Sequence, residues 1–582
     1  MDILTRQRSL MALNGAVAGL ALWLLQDVLA RGVLTDRMAL FLTTLVGAFF
    51  AAALGMAGPL SIRRAAMGAA PVALVVAGLL TLASTRYDRV EQFLFDPLPV
   101  LAAIALGFLA LPFWIAQAGR GWRHYPTLFT EIWTMVVRTL SGWIFTGLVW
   151  GVIWLSDALL GIVGLDLIEA MLQYGAVPWL ITGATFGLAL AVAAENADVL
   201  SPYLILRLLR LLTLPVLAVM VLFVVALPVQ GMSGLLGGIS AALTLLAMCG
   251  AGVTLVSTAV DQSDAEASDS VLLARSAQAL ALILPLPAGL AAWAIWLRVV
   301  QYGWTPDRLF AAALALVALG YGVVYALAVI RGAAWRGHVR QGNIAMALVV
   351  MALSALWLTP LLNAERISAG SQLARYADGR TPEGQLDLFA LDRWGRAGAA
   401  ALAELRSLAA TPGHEALQAR LEDFDAGLVA AADPAMVEDT TALLAELAAV
   451  MPLQPAGATA TRDMLLTAIS ADELRMWIAD CQTLLPGSDR PGCVFVVADL
   501  WPGEPGEEAV ALLRDPSGYL RYEGLGMIAG EVQRRSVLPL VGMLPDLAEG
   551  VALITALQDA PPPVSPAPLN QLGVAGGLVL IP

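Results

Sequence analysis

Few side chains in this chain of 582 residues have the type and setting for chemistry, and they are scattered. Asp157, in Trp154-Leu155-Ser156-Asp157, is the acid placed deepest in an apolar run. A carboxyl there has the makings of a proton relay or an ion ligand. It also lies about six residues from the end of its run, roughly 9 Å by helical rise, where water still reaches. Arg308 follows Tyr302 and Thr305 in Gln301-Tyr302-Gly303-Trp304-Thr305-Pro306-Asp307-Arg308-Leu309 and could contact an anionic ligand. A structural reading of the same stretch has Tyr302 and Trp304 pin a helix junction at the interface. Thr305 or Asp307 then caps the next helix, with Pro306 in its first turn and Arg308 meeting headgroups or a neighbouring acid.

The remaining candidates are weaker. Cys481 and Cys493 flank Pro486-Gly487-Ser488-Asp489-Arg490-Pro491-Gly492. In an oxidising compartment they could close a loop worth about 3 kcal/mol, or they stand as two thiols. No His or further Cys is near enough in sequence to complete a tetrahedral shell, so neither a metal nor a cofactor is expected. The segment Asp261-Gln262-Ser263-Asp264-Ala265-Glu266 lacks the glycine and final glutamate of a calcium loop and is expected to be solvated. Glu195, Asn196 and Asp198 either gate a cavity or are solvated groups at a helix end. His124, His338 and His414 are isolated. No phosphate-binding loop, zinc-protease pair, nucleophile elbow or dinucleotide fingerprint is present, so no catalytic residue is assigned.

The elements that position these residues are hydrophobic to an extent unusual for a soluble protein: 59% of the chain is apolar and 14% charged. Eleven apolar runs, 10–30, 38–57, 65–83, 98–118, 141–163, 177–194, 211–228, 235–258, 277–300, 309–330 and 343–362, are each long enough to span hydrocarbon as a helix. The first is read as a retained span, being too long for a cleaved signal core. Pro71, Pro112, Pro215, Pro285 and Pro287 interrupt them as kinks of packing or, as in transporters, of function. Small-residue spacings at Gly15/Gly19, Gly147/Gly151, Gly183/Gly187 and Gly234/Gly238 permit close helix approach. The fold class expected is therefore a polytopic α-helical membrane protein with a C-terminal α+β extramembrane domain.

Arginine supplies every fixed cation, since the chain has no lysine. With the N-terminus inside, inner segments hold thirteen arginines and outer loops six, the positive-inside bias. Residues 363–582 then face the periplasm. They hold 14 Arg and 29 Asp/Glu, a net of −15, which disfavours nucleic acid and anionic lipid as their partners. Residues 363–480 read as helices over 385–408, 415–431 and 436–450, with another from a capping box at Ser470 and Glu473. Residues 481–582 read as short strands over 493–500, 509–514, 519–522 and 536–541, with a Pro-rich segment at 559–569.

The segment 301–309, with its Tyr-Gly-x-Thr-x-x-Arg pattern, resembles the signature of a bacterial family catalogued as domain of unknown function 4153. Ile367-Ser368-Ala369-Gly370-Ser371-Gln372-Leu373-Ala374-Arg375 resembles that family's segment just after the membrane. The resemblance covers about residues 10–400 and implies a multi-pass inner-membrane protein, with no catalytic residues to carry over. Separately, residues 497–510 are similar to the Asp-rich turns of β-propeller repeats, with Trp501 and Gly503 where calcium ligands would stand. The leading expectation is an envelope protein, embedded in the lipid bilayer, whose acidic periplasmic domain binds a protein partner. A small-solute transporter is the second reading and a membrane-embedded enzyme the third.

Overall fold

In the computed structural model, the described residues are all but 1–2, 31–33, 164, 166, 196–201, 231–238, 269, 383–385, 426–439, 468, 501–505, 516–518, 529–530, 538–546, 561–562, 565–570, 573–577 and 580–582. Asn196, Asp198, the Gly234/Gly238 pair, Trp501 and Gly503 lie outside them. Packing divides the chain into two units, Met1–Ala430 and Ala431–Pro582, beyond the hydropathy boundary at Leu362.

The first unit runs α1 (Ile3–Ala30), α2 (Asp36–Met56), α3 (Ile62–Ser84), α4 (Val90–Leu94), α5 (Pro97–Ala118), α6 (Tyr125–Ile162), α7 (Leu167–Leu172) and α8 (Ala176–Glu195). It continues with α9 (Pro202–Leu211), α10 (Thr213–Gln230), α11 (Ile239–Val260), α12 (Val271–Ile283), α13 (Pro285–Tyr302), α14 (Pro306–Ile330) and α15 (Trp335–Trp357). After the last span come α16 (Ala364–Ala377), α17 (Leu388–Arg393), α18 (Gly395–Ala409) and α19 (Glu415–Asp425). Among the described residues, eleven segments are long and apolar enough to cross a membrane, with Tyr203–Ala226 bridging α9 and α10, and Val271–Tyr302 joining α12 to α13 at Pro285. The fifth is longer than its apolar run, because α6 begins at Tyr125 under a His124 cap. The expected helix over 385–408 is two helices, broken where Gly395 takes a φ of 56°.

Small residues set the tightest packing. A Cβ on Gly15 would stand 1.9 Å from the Gly183 carbonyl oxygen, and one on Gly187 2.3 Å from that of Met11, so α1 and α8 meet backbone to backbone. Gly147 and Gly151 face open space on α6.

Polar contacts sort the helix ends into two sets that alternate along the chain, as a membrane bundle requires. Arg8 pairs with Glu195 at 2.6 Å, joining the start of α1 to the end of α8. At the opposite set, Arg37 donates to the Tyr87 carbonyl at 2.7 Å, joining the start of α2 to the end of α3. The ends of α3 and α15 meet there as well, through Arg86.

The second unit comprises α20 (Thr440–Val450), β1 (Leu453–Gln454), α21 (Thr459–Leu466), α22 (Ala471–Gln482), β2 (Cys493–Ala498), β3 (Glu508–Arg514), β4 (Leu520–Ile528), β5 (Glu531–Ser536), α23 (Leu547–Asp559), β6 (Gln571–Leu572) and β7 (Leu578–Val579). Strands β1 to β5 form one sheet in sequence order, with β1 parallel to β2 and the other pairs antiparallel. Alternation along β2 explains its two covered faces. Cys493, Phe495 and Val497 pack under Trp477 and Leu474 of α22, while Val494 and Val496 pack against Ile554 of α23. Ser470 and Glu473 form the capping box that starts α22. The strand expected at 519–522 runs on to Ile528, the last strand of this sheet among the described residues lies at 531–536, and most of the strand expected at 536–541 lies outside the described residues. Cys481, at the end of α22, is bonded to Cys493, at the start of β2.

Candidate functional site

Gly303, between α13 and α14, has φ 80°, a conformation glycine adopts without strain. Thr305 caps α14 by accepting the Arg308 amide at 3.3 Å, and Pro306 fills its first position. Arg308 is buried and turns its guanidinium back to the Gly303 carbonyl at 2.9 Å, rather than out to headgroups. The Tyr302 ring lies 5.5 Å from that guanidinium.

Helix α16 completes this junction. Arg375 donates to the carbonyls of Val300, at 2.9 Å, and Gln301, at 2.5 Å. Gln372 donates to the carbonyls of Tyr302 and Trp304, both at 3.1 Å, and the Ser371 hydroxyl accepts the Trp304 amide at 3.1 Å. The last carbonyls of a helix have no partner inside it and carry the negative end of its dipole. A planar cationic fork from another helix satisfies them. The two signature segments thus form one structural clasp.

A second clasp lies at the end of α3. Arg86 donates to the carbonyls of Trp357, at 2.5 Å, and Thr359, at 2.8 Å, and pairs with buried Glu365 at 3.1 Å. The Tyr87 hydroxyl donates to Glu365 at 3.3 Å. Burial, with Glu365 nearby, holds the Tyr87 phenol far above its ordinary range. Burial likewise raises the Asp96 carboxyl, the cap of α5, to about 6.

The opposite set of helix ends uses the same chemistry. Arg138 donates to the Ala57 carbonyl at 2.8 Å, at the end of α2. Arg340 donates to the carbonyls of Val260, at 2.7 Å, and Asp261, at 3.0 Å, at the end of α11. Asp261 is fully buried against Arg210, so the segment expected to be a solvated loop is solvated only over Asp264 to Glu266. Deeper, Asn343 donates to Tyr125 at 2.9 Å and to Ser257 at 2.8 Å, and accepts from Tyr325 at 2.6 Å. Tyr125, Ser257 and Asn343 line a cavity of about 240 Å³ between α5, α6, α11, α14 and α15.

Of the residues singled out from sequence, the structure joins Tyr302, Thr305 and Arg308 at one junction. Asp157 stands apart on an exposed stretch of α6, between exposed Leu155 and Leu159. Cys481 and Cys493 belong to the second unit. Arg86, Glu365 and Asn343 were missed. The only signal for them was a polar residue at or within the edge of an apolar run, too common to single out.

A bundle of apolar helices with buried arginines closing its ends defines the class: a polytopic α-helical membrane protein, followed by a small α+β unit. Comparison with known families places it further. The chain belongs to the family described as "Domain of unknown function (DUF4153)", whose model matches residues 15–405. The match runs past the last span into α18, so α16 and α17 belong to the family region along with the bundle. No curated protein matches the chain, and no solved structure does.

Proposed function

We propose that this is a bacterial inner-membrane protein that presents its acidic second unit to the periplasm, where that unit binds a protein partner with a basic surface. The observation that carries this reading is the segregation of charge. Residues 431–582 hold 7 Arg and 19 Asp/Glu, a net of −12, while residues 1–430 hold 26 Arg and 27 Asp/Glu, a net of −1. A single-sign field of that size steers association with opposite charge.

Two observations support the orientation. Arg138, Arg210, Arg336 and Arg340 serve backbone carbonyls on the inner side, and Arg37, Arg86 and Arg308 do so on the outer side. With these set aside, thirteen against six becomes nine against three, and the positive-inside bias persists. The Cys481–Cys493 bond suits an oxidising compartment. Photo-crosslinkers placed in the full-length protein at exposed Asp463 and Asp489 should capture one reproducible partner, lost when neighbouring acids are reversed to Arg or salt is raised. Absence of any reproducible, salt-sensitive product from both positions sinks the reading.

The Tyr125–Ser257–Tyr325–Asn343 network favours a second reading, a small-solute permease, because buried polar groups between spans mark solute pathways. Proteoliposome flux unaffected by Asn343→Leu, Asp157→Asn and Arg308→Ala would remove it.

A further inference from the structure

We infer that the first unit holds the hydrocarbon chain of an anionic phospholipid in a groove between α2, α5 and α6. The groove encloses about 710 Å³ and is also walled by α3 and α8. Its mouth is framed by Ile104, Leu140 and Trp143, exposed at 61%, 57% and 56%, on apolar faces of spanning helices. It therefore opens sideways, toward the bilayer. Apart from Thr44, Thr139 and the Trp143 indole, every lining side chain is apolar or absent. An ion or polar solute would lose its water there with almost nothing in exchange. In a bilayer, the molecules at such a mouth are lipid chains.

Length and charge choose the leaflet. From Thr44 to Gly55 the lining of α2 runs about 16 Å by helical rise, close to half of a hydrocarbon core of about 30 Å. One chain entering from one leaflet fills that depth. At the Gly55 end the turn Ala57–Ser61 sits on buried Arg138, whose Nη1 would lie 2.9 Å from a Cβ on Gly58. Exposed Arg63 and Arg64 open the helix that follows. Arg63 and Arg64 complement an anionic headgroup at that end, while Arg138 is taken up by the Ala57 and Leu190 carbonyls. At the other end of the groove, at Leu80 and Val100, Arg37 and Arg86 are committed to carbonyls and to Glu365, and the Asp96 carboxyl caps α5, so that end is the poorer fit for an anion.

Gly47 supplies the test, because a Cβ there meets nothing within 4 Å and a large side chain grows into the groove. Full-length protein is equilibrated with mixed phosphatidylglycerol and phosphatidylethanolamine vesicles, and lipid retained after detergent extraction is counted by native mass spectrometry. Wild type should retain phosphatidylglycerol preferentially. Gly47→Phe should weaken retention of both lipids by about tenfold, with thermal unfolding in detergent unchanged. Gly147→Phe, the same exchange where α6 faces open space outside the groove, should retain lipid as wild type does. Arg63→Gln with Arg64→Gln should keep the bound chain and lose the preference between headgroups. If Gly47→Phe does not fold, Gly107→Leu carries the same expectation, since its Cβ meets only Val76 at 3.4 Å. Undiminished lipid in the folded groove variants overturns the site, and equal retention of the two lipids by wild type overturns the anionic assignment.

Discussion

At the junction of α13 and α14, several groups depend on one glycine. A Cβ on Gly303 would stand 2.6 Å from Arg375 Cδ and 2.9 Å from Gln372 Nε2, in addition to the strain of a side chain at positive φ. Gly303→Ala should therefore destabilise the membrane unit by about 1–3 kcal/mol, read as a lower thermal midpoint in detergent. Arg375→Lys should lower it too, because an ammonium cannot offer the planar fork that serves two carbonyls at once. Asp96 adds a pH dependence. Its folded pKa, about 6, lies above the ordinary carboxylate value of 3.8, so the folded state binds the proton more tightly than the unfolded state. The stabilisation is present in full below the unfolded value and is lost as pH rises through about 6. The thermal midpoint of wild type should rise between pH 7 and pH 5, and Asp96→Asn should flatten that part of the profile. Sequence left the cap of α14 open between Thr305 and Asp307, of which Thr305 is the one used, and it pointed Arg308 at headgroups, a neighbouring acid or an anionic ligand rather than at the Gly303 carbonyl. It gave no hint that Arg86 would find Glu365, 279 positions away, because no short-range pattern encodes such a pair.

Among the elements, the spans were legible because hydrocarbon demands some twenty apolar residues per crossing and leaves little choice of structure. Their pairing was less so. Four glycine spacings looked alike in sequence, yet Gly15/Gly19 and Gly183/Gly187 pack against each other while Gly147/Gly151 faces open space. Which spacing is used depends on which face a neighbour covers, and hydropathy does not carry that. Gly183→Leu should force α1 from α8 and cost about 1–3 kcal/mol, whereas Gly151→Leu should leave the unfolding midpoint unchanged. The second unit was partly legible. Apolar runs between Gly and Pro turns located β2 and β3, but β4 is longer than its apolar stretch because Gly524 and Gly526 continue the pairing with β3 and β5. Replacing Cys481 and Cys493 together by Ala should lower the stability of this unit by about 3 kcal/mol, visible as an earlier transition that reducing agent no longer shifts.

Over the whole molecule, hydropathy and packing divide the chain at different places. Apolar runs end at Leu362, while the compact first unit continues to Ala430. The difference is α16, whose Glu365, Gln372 and Arg375 bind the ends of α3 and α13. Water-compatible composition does not disclose that a helix is bound into a bundle through Glu365, Gln372 and Arg375. Most of the acidic surplus then belongs to the second unit, and the proposal that this unit meets a basic partner in the periplasm depends on which side it faces. An engineered protease site between Ala430 and Ala431 in the full-length protein tests that most directly. Protease added to spheroplasts should release a soluble acidic fragment beginning at residue 431 and leave α16 to α18 with the membrane, while sealed inverted vesicles remain uncut. Cleavage in inverted vesicles and protection in spheroplasts would contradict the account.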